Sequence, residues 1–75
     1  MVTAYVLLVV EPGVESKIAS KMLKKKEVKD VSVVYGEYDV IMKLEVDSME
    51  VLQDFVISLR KNKGIKRTTT MIAVQ

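Results

Sequence analysis

A chain of 75 residues forms one domain, and at this size folding hides only about 60% of the surface the unfolded chain exposes, which leaves a thin core. Yet 49% of the residues are hydrophobic, more than two helices and one small sheet can easily cover, so self-association is expected. Without Cys or His there are no disulfides, no thiolate metal sites and no imidazole catalyst, and a net charge of +2 is too balanced for a nucleic-acid footprint.

Residues 1–10 are apolar, but they carry no basic leading segment and no small-residue cleavage site, and Glu11-Pro12-Gly13 ends the run. A stretch this short is neither a signal peptide nor a bilayer span, so a cytoplasmic location is expected, with no membrane contact. Abundant Lys, Glu and Val with no Cys and few Asn or Gln match a thermophile's usage. Within the run, Ala4, Val6, Leu8 and Val10 alternate with Tyr5, Leu7 and Val9, the pattern of a strand covered on both faces. After the Pro-Gly break, Val14, Ile18 and Met22 recur every fourth residue, with Ala19 and Leu23 beside them. This is an amphipathic helix, and Lys24, Lys25 and Lys26 are read as its last turn, where cations complement the helix dipole.

Residues 28–34 and 40–46 are two β-branched-rich runs around Tyr35-Gly36-Glu37-Tyr38-Asp39, which reads as a β-hairpin. Gly36 is placed at the bend because glycine takes positive φ without penalty, and Tyr38 and Asp39 are expected to swing out at the hairpin's end. In the second arm Val40, Met42, Leu44 and Val46 form an apolar face, with Lys43 and Glu45 on the other. Asp47-Ser48-Met49-Glu50 has capping-box spacing with Asp47 as N-cap, opening a second helix whose stripe is Met49, Leu52, Phe55, Val56 and Leu59. Arg60, Lys61 and Lys63 close it and Gly64 stops it. Residues 65–74 form a last strand, with Thr68, Thr70, Ile72 and Val74 on one face and Arg67, Thr69, Met71 and Ala73 on the other.

Right-handed crossovers turn this order into a ferredoxin-like βαββαβ fold of the α+β class. It has a four-stranded antiparallel sheet, order 4-1-3-2, with both helices on one face. The first strand is then central, and its second apolar face has no cover within the chain. Dimerisation through the sheets is the direct remedy.

This topology hosts many activities, and residue types remove several. The loop after the first strand lacks the Cys pair of a metallochaperone and the Arg of an acylphosphatase-like cradle, and the third strand lacks the aromatics of an RNA-recognition surface. What remains is the turn with two tyrosines and Asp39, together with the threonines of the last strand. A carboxylate accepts hydrogen bonds from an ammonium group, while glycine-turn N–H groups and Thr hydroxyls serve a carboxylate, a set suited to a free amino acid. The same residues equally serve as turn cap, space-filling rings and ordinary strand residues.

The runs V-E-P-G, V-Y-G-E-Y-D-V-I-M-K-L, V-D-S-M-E-V-L and G-I-K-R-T-T-T-M-I-A-V together resemble the effector-binding (RAM) domain of the Lrp/AsnC family of regulators. The resemblance extends over almost the whole chain, so residues 1–75 are expected to be a single domain of that type. It implies a non-enzymatic regulatory protein without cofactor or metal. It further implies homodimers joined through their sheets as a dimeric α/β barrel, rings of four dimers (an octamer), and a small amino acid held between subunits. Position by position, Tyr35, Gly36, Glu37, Tyr38 and Asp39 match the family's effector loop. Thr68 and Thr70 match threonines lining the same pocket from a neighbouring subunit, and Tyr35 stands where many members carry a smaller residue. Full-length members begin with a helix-turn-helix domain, whereas Met1 leads straight into the first strand. The expectation is therefore a stand-alone form that senses an amino acid and modulates partners, full-length regulators among them, without binding DNA. The alternatives are a ligand-free co-assembly module, a small barrel enzyme using Tyr35, Tyr38 or Asp39 as acid or base, and an ACT-type domain.

Overall fold

In the computed structural model, which describes residues 1–74, strand β1 (Val2–Val10) is the axis of the sheet. It is followed by α1 (Glu15–Leu23), β2 (Val28–Val33), β3 (Val40–Val46), α2 (Met49–Arg60) and β4 (Ile65–Ile72). The strands lie in the order β2-β3-β1-β4 with every pairing antiparallel, which is the expected 4-1-3-2 arrangement counted from the other edge. Both neighbours of β1 are distant in sequence, so the ladder depends on the two helical crossovers that return the chain to it.

Alternation along β1 decides what the sheet covers. Ala4, Val6, Leu8 and Val10 are buried, and so are their counterparts Val40, Met42, Leu44 and Val46 on β3. They share one core with Ile18 and Met22 of α1 and with Leu52, Phe55 and Leu59 of α2. Each large aliphatic side chain buried there stabilises the fold by about 1.5–3 kcal/mol. The other sheet face carries Tyr5, Leu7 and Val9 of β1, paired in register with Lys43 and Ile41 of β3 and with Met71, Thr69 and Arg67 of β4. No helix lies over it; Met71 is 51% exposed, and Lys43 and Glu45 approach only to 3.9 Å in a half-solvated pair that contributes at most about 1 kcal/mol.

Three helix ends differ from the sequence expectation. α1 stops at Leu23, so Lys24 is its C-cap and Lys21 the basic residue of its last turn. Lys25 and Lys26 belong to the turn into β2, closed by the Val28 N–H donating to the Lys25 carbonyl at 3.1 Å. α2 starts one residue later than the capping-box spacing implied. Its N-cap is Ser48, whose Oγ accepts the Val51 N–H at 3.3 Å, and Asp47 lies outside the helix. α2 ends at its C-cap Lys61 instead of at Gly64: the Lys61 and Asn62 N–H groups donate to the Ser58 and Leu59 carbonyls at 3.2 and 3.1 Å, and the Asn62 side-chain amide adds second bonds to the same two carbonyls at 3.3 and 3.0 Å. Gly64, at φ +94°, makes the turn into β4 and accepts the Glu11 N–H at 2.7 Å. β4 ends at Ile72, but the Ala73 N–H still donates to the Thr3 carbonyl at 2.9 Å.

Candidate functional site at the central turn

The hairpin closes where the Val34 N–H donates to the Asp39 carbonyl at 2.9 Å, leaving residues 35–38 as its tip. Gly36 has φ +127°, and a Cβ there would meet nothing within 4 Å, so conformation and not crowding demands glycine. Tyr35 and Glu37 are exposed, and Tyr35 projects entirely into solvent.

Asp39 is held at three points. Its carbonyl closes the hairpin, its N–H donates to the Leu8 carbonyl at 2.8 Å, and its Oδ2 accepts the Val10 N–H at 2.9 Å. These contacts continue β1 past Leu8↔Val40, the last register pair of the β1–β3 ladder, and they occur where the β1–β4 register shifts between Val9 and Val10. The carboxylate therefore supplies an acceptor to a strand N–H that the ladder no longer reaches. Among the described residues no second donor approaches it, and its other oxygen, Oδ1, keeps its lone pairs for an incoming donor such as an ammonium group.

Tyr38 is also tied down instead of swinging out. Its hydroxyl lies 3.3 Å from Thr69 Oγ1, and the Arg67 guanidinium carbon sits 5.7 Å from its ring centroid, a distance at which the cation is attracted to the ring face. Arg67 and Thr69 stand on the uncovered sheet face opposite Val9 and Leu7. Tyr38 thus folds back over the end of β1 and makes a polar and aromatic rim for that apolar face. Strand alternation had already put Arg67 and Thr69 on a shared face, but nothing local to them indicated Tyr38, about thirty residues away.

Thr68 and Thr70 lie on the opposite, helix-covered side, in register with the buried Leu8 and Val6. Thr68 Oγ1 accepts a hydrogen bond from Arg60 Nε at 3.2 Å, beside a cleft of about 370 Å³ that also includes Lys66. Thr70 borders an apolar cleft of about 300 Å³ with Met49, Val56 and Ile72. One chain therefore joins Tyr38 to Thr69 and Arg67 and Asp39 to the end of β1, leaves Tyr35, Gly36 and Glu37 exposed at the tip, and keeps Thr68 and Thr70 on the other side of the sheet. Among the described residues no group of three or more Asp or Glu side chains is placed to hold a metal, and no helix is long and apolar enough to cross a membrane.

Known structures share this architecture. The chain superposes on FFRP-DM1 with a TM-score of 0.95 at 45% identity, covering 99% of this chain and 100% of that one. On the hypothetical protein PHS023 from Pyrococcus horikoshii the TM-score is 0.94 at 45% identity, covering 100% and 92%. Among curated proteins, the HTH-type transcriptional regulator FL11 of Pyrococcus furiosus is 31% identical over 74 residues, 99% of this chain and 49% of the regulator. The chain spans about half the length of the curated relatives it matches, and these relatives are regulators, not enzymes. Residues 3–75 match the family model described as the Lrp/AsnC ligand binding domain, and with the fold and the half-length match to regulators this places the chain in the Lrp/AsnC ligand-binding domain family.

Proposed function

We propose that this domain is a non-catalytic sensor that takes a small free amino acid at a seam between copies and relays its presence to regulator partners. The observation that carries this reading is the state of Asp39, at the end of the turn that contains Gly36: one carboxylate oxygen is anchored to Val10 and the other takes no hydrogen bond from the described residues. An anchored carboxylate binds an ammonium group without first losing side-chain freedom. The ligand's own carboxylate would be met by turn N–H groups and by Thr68 and Thr70 of a neighbouring copy, since within one chain these threonines lie across the sheet from the turn. The uncovered face of Tyr5, Leu7, Val9 and Met71 supports a homodimer joined sheet to sheet, and closed rings of such dimers, four in the fullest form, would bring turns and threonines of different copies together. A regulator from Neisseria meningitidis, NMB0573, which shares the fold (TM-score 0.89) but only 17% of the sequence, was solved as a complex with L-Met. That likeness is one of fold alone.

Calorimetric titration of the assembled protein with a panel of amino acids tests the proposal. Saturable heat with at least one of them, lost in Asp39→Asn while the oligomer persists, is the expected result; no heat with any at millimolar concentration would overturn sensing. A second reading, a ligand-free module that co-assembles with full-length regulators, is favoured by the three backbone and side-chain ties that already give Asp39 a structural role. It predicts unchanged assembly and no ligand to lose.

A further inference from the structure

We infer that the cleft between α1 and the loop entering β4, on the helix side of the sheet, binds a short aliphatic carboxylate. The cleft has a volume of about 530 Å³, within the range of small-molecule pockets. Its floor is apolar: Val14, the half-buried N-cap of α1, lines it, with Ile18 and Met22 of the helix closing it from beneath at 5% and 0% exposed. Gly64 lets the opposite wall come up against the helix at one end. A Cβ at that position would stand 3.3 Å from Val14 Cγ2 and 3.5 Å from Ile18 Cδ1, so the loop meets the helix there and closes that end of the cleft.

Both walls are fixed before any ligand arrives. The Glu11 N–H donates to the Gly64 carbonyl at 2.7 Å, joining the loop after β1 to the loop before β4. At the other end the Lys21 ammonium donates to Asn62 Oδ1, and Asn62 is itself held by the last carbonyls of α2. Preorganised walls reduce the ordering cost of binding. The rim is cationic: Lys17, Lys21 and Lys63 stand against the single carboxylate of Glu11. An apolar floor under ammonium groups matches a ligand with a short hydrocarbon tail and an anionic head. Burial of the tail supplies the attraction, and the lysines select the charge.

Three probes with the same branched tail and different heads test this on the full chain: isovalerate, isoamyl alcohol and isoamylamine, each followed by amide and methyl shifts of isotopically labelled protein. Isovalerate is expected to give saturable shifts clustered at Val14, Ile18, Met22 and Gly64, with the alcohol weaker and the amine weakest. The double variant Lys17→Gln, Lys63→Gln alters exposed side chains only and is expected to weaken isovalerate about tenfold, roughly threefold for each exposed charge pair lost. Val14→Phe, checked for a native circular dichroism spectrum, is expected to fill the cleft and remove the shifts. Equal affinity for isovalerate and the alcohol would overturn the assignment of a carboxylate. Shifts that fail to saturate, that scatter over the surface lysines, or that survive Val14→Phe would overturn the site itself.

Discussion

Asp39→Ala deletes the acceptor that Oδ2 offers to the Val10 N–H at 2.9 Å. Val10 is 4% exposed and belongs to the core, and the hydrogen bond itself is partly buried, so water replaces the lost partner only in part. A hydrogen bond to a charged group is worth about 1.5–3 kcal/mol, and the cost of an orphaned buried donor falls in the same range. Because Asp39 itself is only half-buried, the expected loss lies at the lower end, about 1.5–2 kcal/mol. For a domain of this size that lowers the melting temperature by roughly 6–16 °C. Asp39→Asn keeps a side-chain oxygen in place for Val10 and is expected to cost less than about 1 kcal/mol. Urea unfolding of wild type and both variants at one fixed protein concentration makes the comparison, since association shifts apparent stability by mass action. If Asp39→Ala unfolds within 0.5 kcal/mol of wild type, or if Asn proves as damaging as Ala, Asp39 does not brace β1, with ~0.5 kcal/mol being the ordinary scatter of surface substitutions. The pair of variants also separates structure from recognition: Asn leaves the brace and removes the charge that an ammonium ligand requires.

Ser48→Ala removes the α2 cap and is expected to destabilise by about 0.5–2 kcal/mol in the same unfolding assay, whereas Asp47→Ala, outside the helix, stays within about 0.5 kcal/mol. Leu8→Ala, at a fully buried site between β3 and β4, is expected to cost about 2.5–5 kcal/mol, enough to leave a small domain largely unfolded when its partner copies are diluted away. Leu7→Lys, one residue along and on the uncovered face, is expected to leave the monomer folded by circular dichroism while shifting light-scattering mass to the single chain. An unchanged mass would remove that face from the assembly.

Particular residues divide what could be read early from what could not. The period of two in Val2–Val10 and the fourfold spacing of Val14, Ile18 and Met22 identify elements from side chains alone, because a core face must repeat with the backbone's own period. Helix ends were harder. Asp47 and Ser48 are both competent N-caps, and the choice between them rests on which one the incoming strand leaves in extended backbone; Ser48 has φ −152° and ψ 166°. Likewise α2 ends at Lys61, not at the glycine three residues later, because the Lys61 and Asn62 N–H groups turn back onto the Ser58 and Leu59 carbonyls and the Asn62 amide doubles those bonds.

The candidate site shows the same division. The turn was visible as Gly36 between two β-branched runs, and so was the alternation that sets Thr69 apart from Thr68 and Thr70. The sequence alone determined the order of elements, the central position of β1 and the surplus of apolar surface, since each follows from local periodicity and from the handedness of crossovers. Tertiary structure alone decided that Asp39 completes the end of β1, that Tyr38 turns inward onto Thr69 and Arg67, and that Gly64 comes up against Val14 and Ile18. Those contacts join residues roughly thirty to fifty positions apart, and such pairs come within bonding distance only after the sheet has closed.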